Sequence, residues 1–301
     1  MFQYHTGRAL CFECFERDLL KRVRESLEQF GVRSSDRILL AVSGGKDSLA
    51  MIYLLSKVHP LDRMFAITVV EGVEGYERSH EIKVSAKIAS EVGIEYEVVK
   101  AKDVIGFSVK DLVEASSRKS IDVSPCTFCG VIRRRVINVY ARSRGFTKVA
   151  TAHTLNDEVQ TALLNILRGD TMRLIQWHPR SIPHSPLLIK RVKPLRRIYE
   201  YEIAAYAYLK GIPLQSEQCP YLLSRPTVRA RLKPMMLEYE QTSPGSLMKF
   251  LDLLDDALKP LVEKVNRSNI ALPVCEKCGE PTAPGRRLCR VCEFIKSLGL
   301  G

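Results

Sequence analysis

Ser43-Gly44-Gly45-Lys46-Asp47-Ser48 stands directly after the apolar run Ile38-Leu39-Leu40-Ala41-Val42 and directly before a helical pattern. A strand delivers the chain to a tight turn, two glycines let backbone N–H groups approach an anion without a Cβ in the way, and the following helix adds its partial positive charge. The stretch therefore reads as a cradle for nucleotide phosphates, with every residue from Ser43 to Ser48 a candidate contact. It matches neither the GxxxxGK[ST] loop nor the GxGxxG turn. A serine- and glycine-rich turn opening an ordinary helix is the plainer alternative, and the strand and helix on either side speak against it.

Outward from the loop, residues 36 to 211 alternate apolar runs with amphipathic helical patterns. That alternation marks an α/β fold, a doubly wound, mainly parallel sheet covered by helices on both faces. Strands are expected at 38–42, 64–70, 96–99 and 148–152, and helices at 48–58, 77–92, 131–143 and 158–167. In such sheets ligands gather beyond the carboxyl ends of the strands, where the loop, Val70 and Ala152-His153-Thr154-Leu155-Asn156-Asp157-Glu158 all fall. Val70 and His153 join the candidate nucleotide contacts, although a lone histidine is more commonly a hydrogen-bonded residue at a strand end. After Pro220 the pattern turns helical, most clearly over 246–265, before a cysteine-rich tail begins at Pro273.

The chain has 301 residues, 46% of them hydrophobic, enough to bury a substantial core. No charged start followed by an apolar stretch appears, and no apolar run approaches the length that crosses a bilayer, so a cytoplasmic protein without a membrane partner is expected. A formal net charge of +12 points to a polyanionic partner such as a nucleic acid, even after each zinc held by four thiolates removes about two charges.

Eight of the nine cysteines form CxxC pairs, Cys11/Cys14, Cys126/Cys129, Cys275/Cys278 and Cys289/Cys292, and Cys219 stands alone. In a reducing compartment such pairs serve as metal ligands or in catalysis. Cys275, Cys278, Cys289 and Cys292 are spaced as the two knuckles of a tetrahedral zinc site, on a ribbon made basic by Lys277, Arg286, Arg287 and Arg290. Cys11 and Cys14 look like the second half of another ribbon, a zinc site completed by His5 or by roughly ten residues preceding the recorded start. Two ordinary buried thiols are the alternative there. Cys126 and Cys129 open a helix followed by Arg133, Arg134 and Arg135, and Cys219-Pro220-Tyr221 lies downstream. Three thiolates suit an iron-sulfur cluster with one iron left open. A persulfide carrier resolving as a disulfide and a structural zinc are the other two readings of that trio. The arginine run grips phosphate or lies on a solvated helix face.

Taken together, SGGKDS at Ser43–Ser48, PCTFCG at Pro125–Gly130, AHTLNDE at Ala152–Glu158, Cys219-Pro220-Tyr221 and the terminal knuckles resemble the tRNA 2-thiolation enzymes of the TtuA and TtcA group, closest to the archaeal and thermophile TtuA branch. The resemblance covers nearly the whole chain. It implies a PP-loop ATP pyrophosphatase fold of the adenine-nucleotide α-hydrolase type, ATP at the loop, Mg2+, a [4Fe-4S] cluster on Cys126, Cys129 and Cys219, and Zn2+ in the terminal ribbons. It also implies tRNA as substrate, a ubiquitin-like sulfur carrier among the possible donors and a homodimer. The implied reaction adenylates the C2 oxygen of a uridine, releases pyrophosphate and replaces the oxygen with sulfur, giving 2-thiouridine in the T loop. Lys46, Asp157 and Arg133 are the residues expected to carry catalysis. Cytidine 2-thiolation, wobble-uridine 2-thiolation and a non-catalytic zinc-bearing RNA-binding protein are the competing functions. The group more often shows HNLDD where this chain reads His153-Thr154-Leu155-Asn156-Asp157, so Asn156 replaces a carboxylate, and Arg133 stands where a lysine is usual. The expected division is an N-terminal ribbon remnant and linker helix at 1–25, the catalytic domain at 26–218, a helical segment at 219–270 and the C-terminal ribbon at 271–301.

Overall fold

The computed structural model describes residues 1–214, 219–221, 228–268 and 271–300. Five strands form the central sheet: β3 (Ile38–Ala41), β4 (Met64–Val70), β5 (Glu95–Lys100), β6 (Lys148–Thr151) and β7 (Lys190–Val192). They lie in the order β5-β4-β3-β6-β7, and every neighbouring pair is parallel. The short antiparallel pair β1 (Phe2–Gln3) and β2 (Arg8–Ala9) precedes them.

Alternation along the strands separates two apolar layers, because successive side chains leave a strand on opposite faces. Ile38 and Leu40 enter the layer built with α1 (Phe12–Gln29), α2 (Lys46–Ser56) and α9 (Glu200–Leu209). Leu39 enters the opposite layer with α5 (Val109–Arg118), α6 (Pro125–Ser143) and the helix Arg290–Leu298. The remaining helices in order are α3 (Ser79–Val92), α4 (Ala101–Ile105), α7 (Leu155–Leu167) and α8 (Thr171–Trp177). A third apolar cluster joins α7 and Trp177 to the helices Val228–Thr242 and Ser246–Arg267. α1 runs across residues 25 and 26 and places Phe15, Leu19 and Val23 in the sheet's own core.

The connections from β3 through β4 to β5 move one way across the sheet, and β6 returns to the other side of β3. The crevice at that reversal lies between the carboxyl ends of β3 and β6. The Ser43–Ser48 loop leaves one of these ends and the 152–158 stretch leaves the other. No helix among the described residues is long and apolar enough to cross a membrane.

Candidate functional site

Local chemistry shapes the loop after β3. Gly44 has φ +83°, and a Cβ built on it would lie 2.5 Å from Glu81 Cβ on α3, so only glycine fits where the loop leans on that helix. Buried Ser48 staples the turn: its Oγ accepts from Ser43 N at 3.2 Å and Gly44 N at 3.1 Å and donates to Gly45 O at 2.8 Å. Lys46 and Asp47 open α2, so their N–H groups have no carbonyl inside the helix to bond. Lys46 Nζ lies 3.0 Å from Asp47 Oδ1 and 3.6 Å from Glu200 Oε1. Burial raises the Asp47 pKa, Lys46 opposes the rise, and the charges of Glu200 and Asp157 add to it. Residues from α2, α7 and α9 thus converge on one point.

Across the crevice, Thr154 and Asp157 form a capping box that starts α7 at Leu155. Asp157 Oδ2 accepts from Thr154 N at 3.1 Å and Thr154 Oγ1 at 3.2 Å. Buried Asn156 accepts from Glu200 N at 2.9 Å. That contact needs only a carbonyl oxygen, so an amide serves at a position where the resembled group usually carries an acid. His153 Nδ1 meets Thr151 Oγ1 at 2.9 Å; the ring is open to solvent at the crevice mouth, yet crowding by protein and then Lys193 lower its pKa. Val70 ends β4, half-buried.

Pro125 at the first position of α6 sets Cys126 and Cys129 in its opening turn. Cys126 is exposed, while Cys129 and Cys219 are half-buried against the apolar layer beneath. Burial pushes the Cys129 thiol up to about 11; Arg133 opposes this, and Glu71, Cys219 and Cys126 add to it. Arg133 donates through Nη2 to Cys129 Sγ at 3.2 Å and through Nε to Glu71 Oε1. Buried Glu71 takes Arg78 Nη2 on its other oxygen at 2.9 Å, and Arg78 Nη1 reaches Ser43 O at 3.5 Å. An unbroken run of polar contacts therefore joins Cys129 to the first residue of the loop, around a cavity of about 50 Å³, while the thiols of Cys126, Cys129 and Cys219 are not drawn into a compact ligand group as those of the tail are. Arg133 stays half-exposed on its helix face, with its guanidinium turned to buried Glu71 and to Cys129. Glu71, Arg78 and Glu200 were not singled out from the sequence; Glu71 carries the clearest missed signal, a charge immediately after an apolar strand at its ligand-facing end.

The tail forms a compact four-sulfur site. The Sγ atoms of Cys275, Cys278, Cys289 and Cys292 all lie within 4.8 Å of one another, and Cys278 and Cys289 are 3.6 Å apart. Tetrahedral zinc with bonds of about 2.3 Å separates its sulfurs by about 3.8 Å, so the donor set fits. Burial opposes ionisation of Cys275, but backbone N–H groups of Cys289, Cys278 and Lys277 outweigh it and bring that thiol down to about 6. The ribbon docks on α6 through buried Glu280, which pairs with Arg135 at 2.7 Å and with Arg142, and Arg135 also donates to Cys278 Sγ at 3.2 Å. At the other terminus Cys11 caps α1 and Cys14 lies in its first turn, both exposed. Among the described residues no third ligand joins them, and His5 is held elsewhere, 3.0 Å from Tyr201 Oη and stacked near Tyr199.

A phosphate loop at the switch point of a parallel sheet defines a nucleotide-binding α/β protein, here with a thiol site wired to the loop. The PP-loop domain family matches residues 15–236, and the chain belongs to that family. It is 32% identical to a tRNA-5-methyluridine(54) 2-sulfurtransferase of Thermus thermophilus, over 96% of this chain and 85% of the relative. It is 30% identical to the tRNA 2-thiolation protein NcsA of Haloferax volcanii, over 99% and 96%. The solved U34-tRNA thiolase NcsA from Methanococcus maripaludis with its [4Fe-4S] cluster superposes with a TM-score of 0.80 at 31% identity, covering 99% of this chain and 93% of that one.

Proposed function

We propose that the protein is a cytoplasmic, ATP-dependent tRNA uridine 2-sulfurtransferase acting in the T loop. The observation that carries this reading is the contact run Ser43–Arg78–Glu71–Arg133–Cys129, which sets an ATP loop and a thiol site in one crevice. The C2 oxygen of the uridine attacks the α-phosphorus of ATP; an O–P bond forms, the α–β anhydride breaks and pyrophosphate leaves. Sulfur then attacks C2, and AMP departs with the oxygen. Lys46 neutralises charge that develops on the phosphates, a preorganised electrostatic role. Asp157, with one oxygen tied to Thr154, offers the other to Mg2+ or to the base. Ser43, Gly44, Gly45, Asp47 and Ser48 shape the cradle, and Val70 and His153 line its rim. Arg133 positions Cys129. Cys126, Cys129 and Cys219 would hold a [4Fe-4S] cluster, which would supply iron to bind an external sulfur species. Zn2+ in the Cys275, Cys278, Cys289 and Cys292 ribbon is structural. The reading extends to a homodimer and to a ubiquitin-like sulfur carrier as donor, both from family resemblance.

The test is an anaerobic assay of cluster-loaded protein with unmodified tRNA, ATP, magnesium and sulfide, followed by nucleoside mass spectrometry. The expected product is 2-thiouridine or its 5-methyl form, absent without ATP and mapped to a T-loop fragment. The match to the U34-tRNA thiolase favours a second reading, in which the thiolated fragment is the anticodon loop. Appearance of 2-thiocytidine, or of no thionucleoside from cluster-loaded protein, overturns both.

A further inference from the structure

Beside the crevice, between α6, α7 and α8, lies a cavity of about 570 Å³ lined by Arg134, Arg168, Arg173, Lys193 and Arg229 with no carboxylate in its wall. Two of these cations are already matched: Lys193 pairs with buried Glu158 at 2.8 Å, and Arg173 with Asp170 at 3.1 Å. Arg134, Arg168 and Arg229 have no carboxylate partner among the described residues. Arg229 directs its donors at neutral atoms, Gln160 Oε1 at 3.2 Å and Thr161 Oγ1 at 2.8 Å. Crowding is visible in the guanidinium groups themselves. Crowding by protein, and then Arg133 and Arg173, lower the Arg134 pKa, although its side chain remains exposed. Arg134, Arg168 and Arg229 are exposed, and like charges lining one wall with no carboxylate between them make a field that favours an anion there.

The cavity adjoins the reacting groups. Arg134 folds back over Gly130, one residue beyond Cys129, close enough that a Cβ on that glycine would sit 3.5 Å from Arg134 Nη1. On the other side, the charges of Lys193 and Arg229 are felt at His153.

We propose that this pocket holds phosphodiester groups of the RNA strand next to the nucleotide being thiolated. The inference rests on the tRNA reading given above. Guanidinium forks match phosphate oxygens in pairs. Arginines without a carboxylate partner among the described residues, from α6, from the end of α7 and from the helix Val228–Thr242, suit a strand of repeating charges better than one terminal carboxylate.

The experiment measures binding of unmodified tRNA to cluster-loaded protein across a salt series, for the wild type, an Arg134→Gln/Arg168→Gln double variant and a separate Arg229→Gln variant. Each lost charged contact is expected to weaken binding about tenfold and to flatten the slope of log K against log salt by about one. ATP affinity, melting temperature and the cluster's visible spectrum stay at wild-type values. If the wild type binds tRNA and the variants bind it equally, with the same salt slope, the pocket is not the RNA site and the thiolase reading stands. If the variants instead lose affinity only for an acidic carrier protein, the pocket takes a protein carboxylate and the proposal is overturned. A wild type that binds no tRNA removes both this inference and the function on which it rests.

Discussion

Replacing Gly44 by alanine puts a methyl group where α3 already stands. The added carbon would lie 2.5 Å from Glu81 Cβ and 3.2 Å from both Glu81 Cγ and Glu81 O. Ordinary carbon contacts are about 3.5–4.0 Å, so loop and helix must part by about 1.0–1.5 Å. α3 has little room to retreat, because Glu81 is buried and its carbonyl accepts from Ser85 Oγ at 2.7 Å. The loop must move, and its two bonds to Ser48 Oγ, already at 3.2 and 3.1 Å, stretch beyond hydrogen-bond range. A side chain at φ +83° adds about 1–2 kcal/mol of backbone strain, and overpacking adds about 1–3 kcal/mol. A misplacement of about 1 Å costs roughly 100-fold in rate. Gly44→Ala should therefore lose about two orders of magnitude in kcat/KM for ATP-dependent thiolation and about 2–5 kcal/mol of stability, read by pyrophosphate release and by denaturant unfolding. Wild-type kcat/KM with an unchanged unfolding midpoint would refute the contact between loop and helix.

Glu71→Gln leaves Arg78 and Arg133 without their shared buried carboxylate, and about 3–5 kcal/mol of stability should be lost together with thiolation; an unaltered urea midpoint would count against the pairing. Cys126→Ala and Asp47→Ala should each abolish thionucleoside formation with little change in melting temperature, since both side chains face the crevice; full product from either would remove it from the site. Cys289→Ser, or prolonged chelation, should lower the melting temperature, because a structural metal contributes folding energy, and an identical melt would argue against zinc. His178 is buried and neutral, with Nδ1 accepting from Arg180 N at 3.1 Å and Nε2 donating to Asp255 O at 3.0 Å. Burial holds its folded pKa below 6.5. The unfolded state then binds more protons below that value, so this contribution is present above about pH 6.5 and fades as the pH drops through the folded pKa. A His178→Gln variant should show a flatter acid limb in stability against pH, and an equally steep limb would exclude His178 as its source.

The loop, four of the five central strands and helices α2, α3, α6 and α7 were legible because each is a bounded apolar run or a helical stripe, while α4 and α5 between β5 and β6 went unread. β7 was not, since it has three residues and presents Lys190 and Arg191 at the sheet edge. The start of α7 was readable in principle from Thr154 and Asp157 at capping-box spacing, and the apolar pattern alone placed it three residues late. The C-terminal cysteine group declared itself by spacing, yet Glu71 meets Arg133 across 62 positions of chain, a closure no local pattern encodes. The arginine run could not be resolved by sequence for a geometric reason. Successive residues leave a helix about 100° apart, so Arg133 faces Glu71 and Cys129, Arg134 the cationic pocket and Arg135 the ribbon.

That divergence makes α6 a shared spindle. The thiols sit at its first turn, while Glu280 grips it at Arg135 and Arg142, two turns apart on the same side. Trimming the tail for convenience of expression would therefore not yield a smaller working version of the protein. It would strip two arginines of their buried carboxylate and unbrace the rod on which Cys126 and Cys129 are mounted, so damage would surface far from the cut, as thiols held at the wrong height above the crevice.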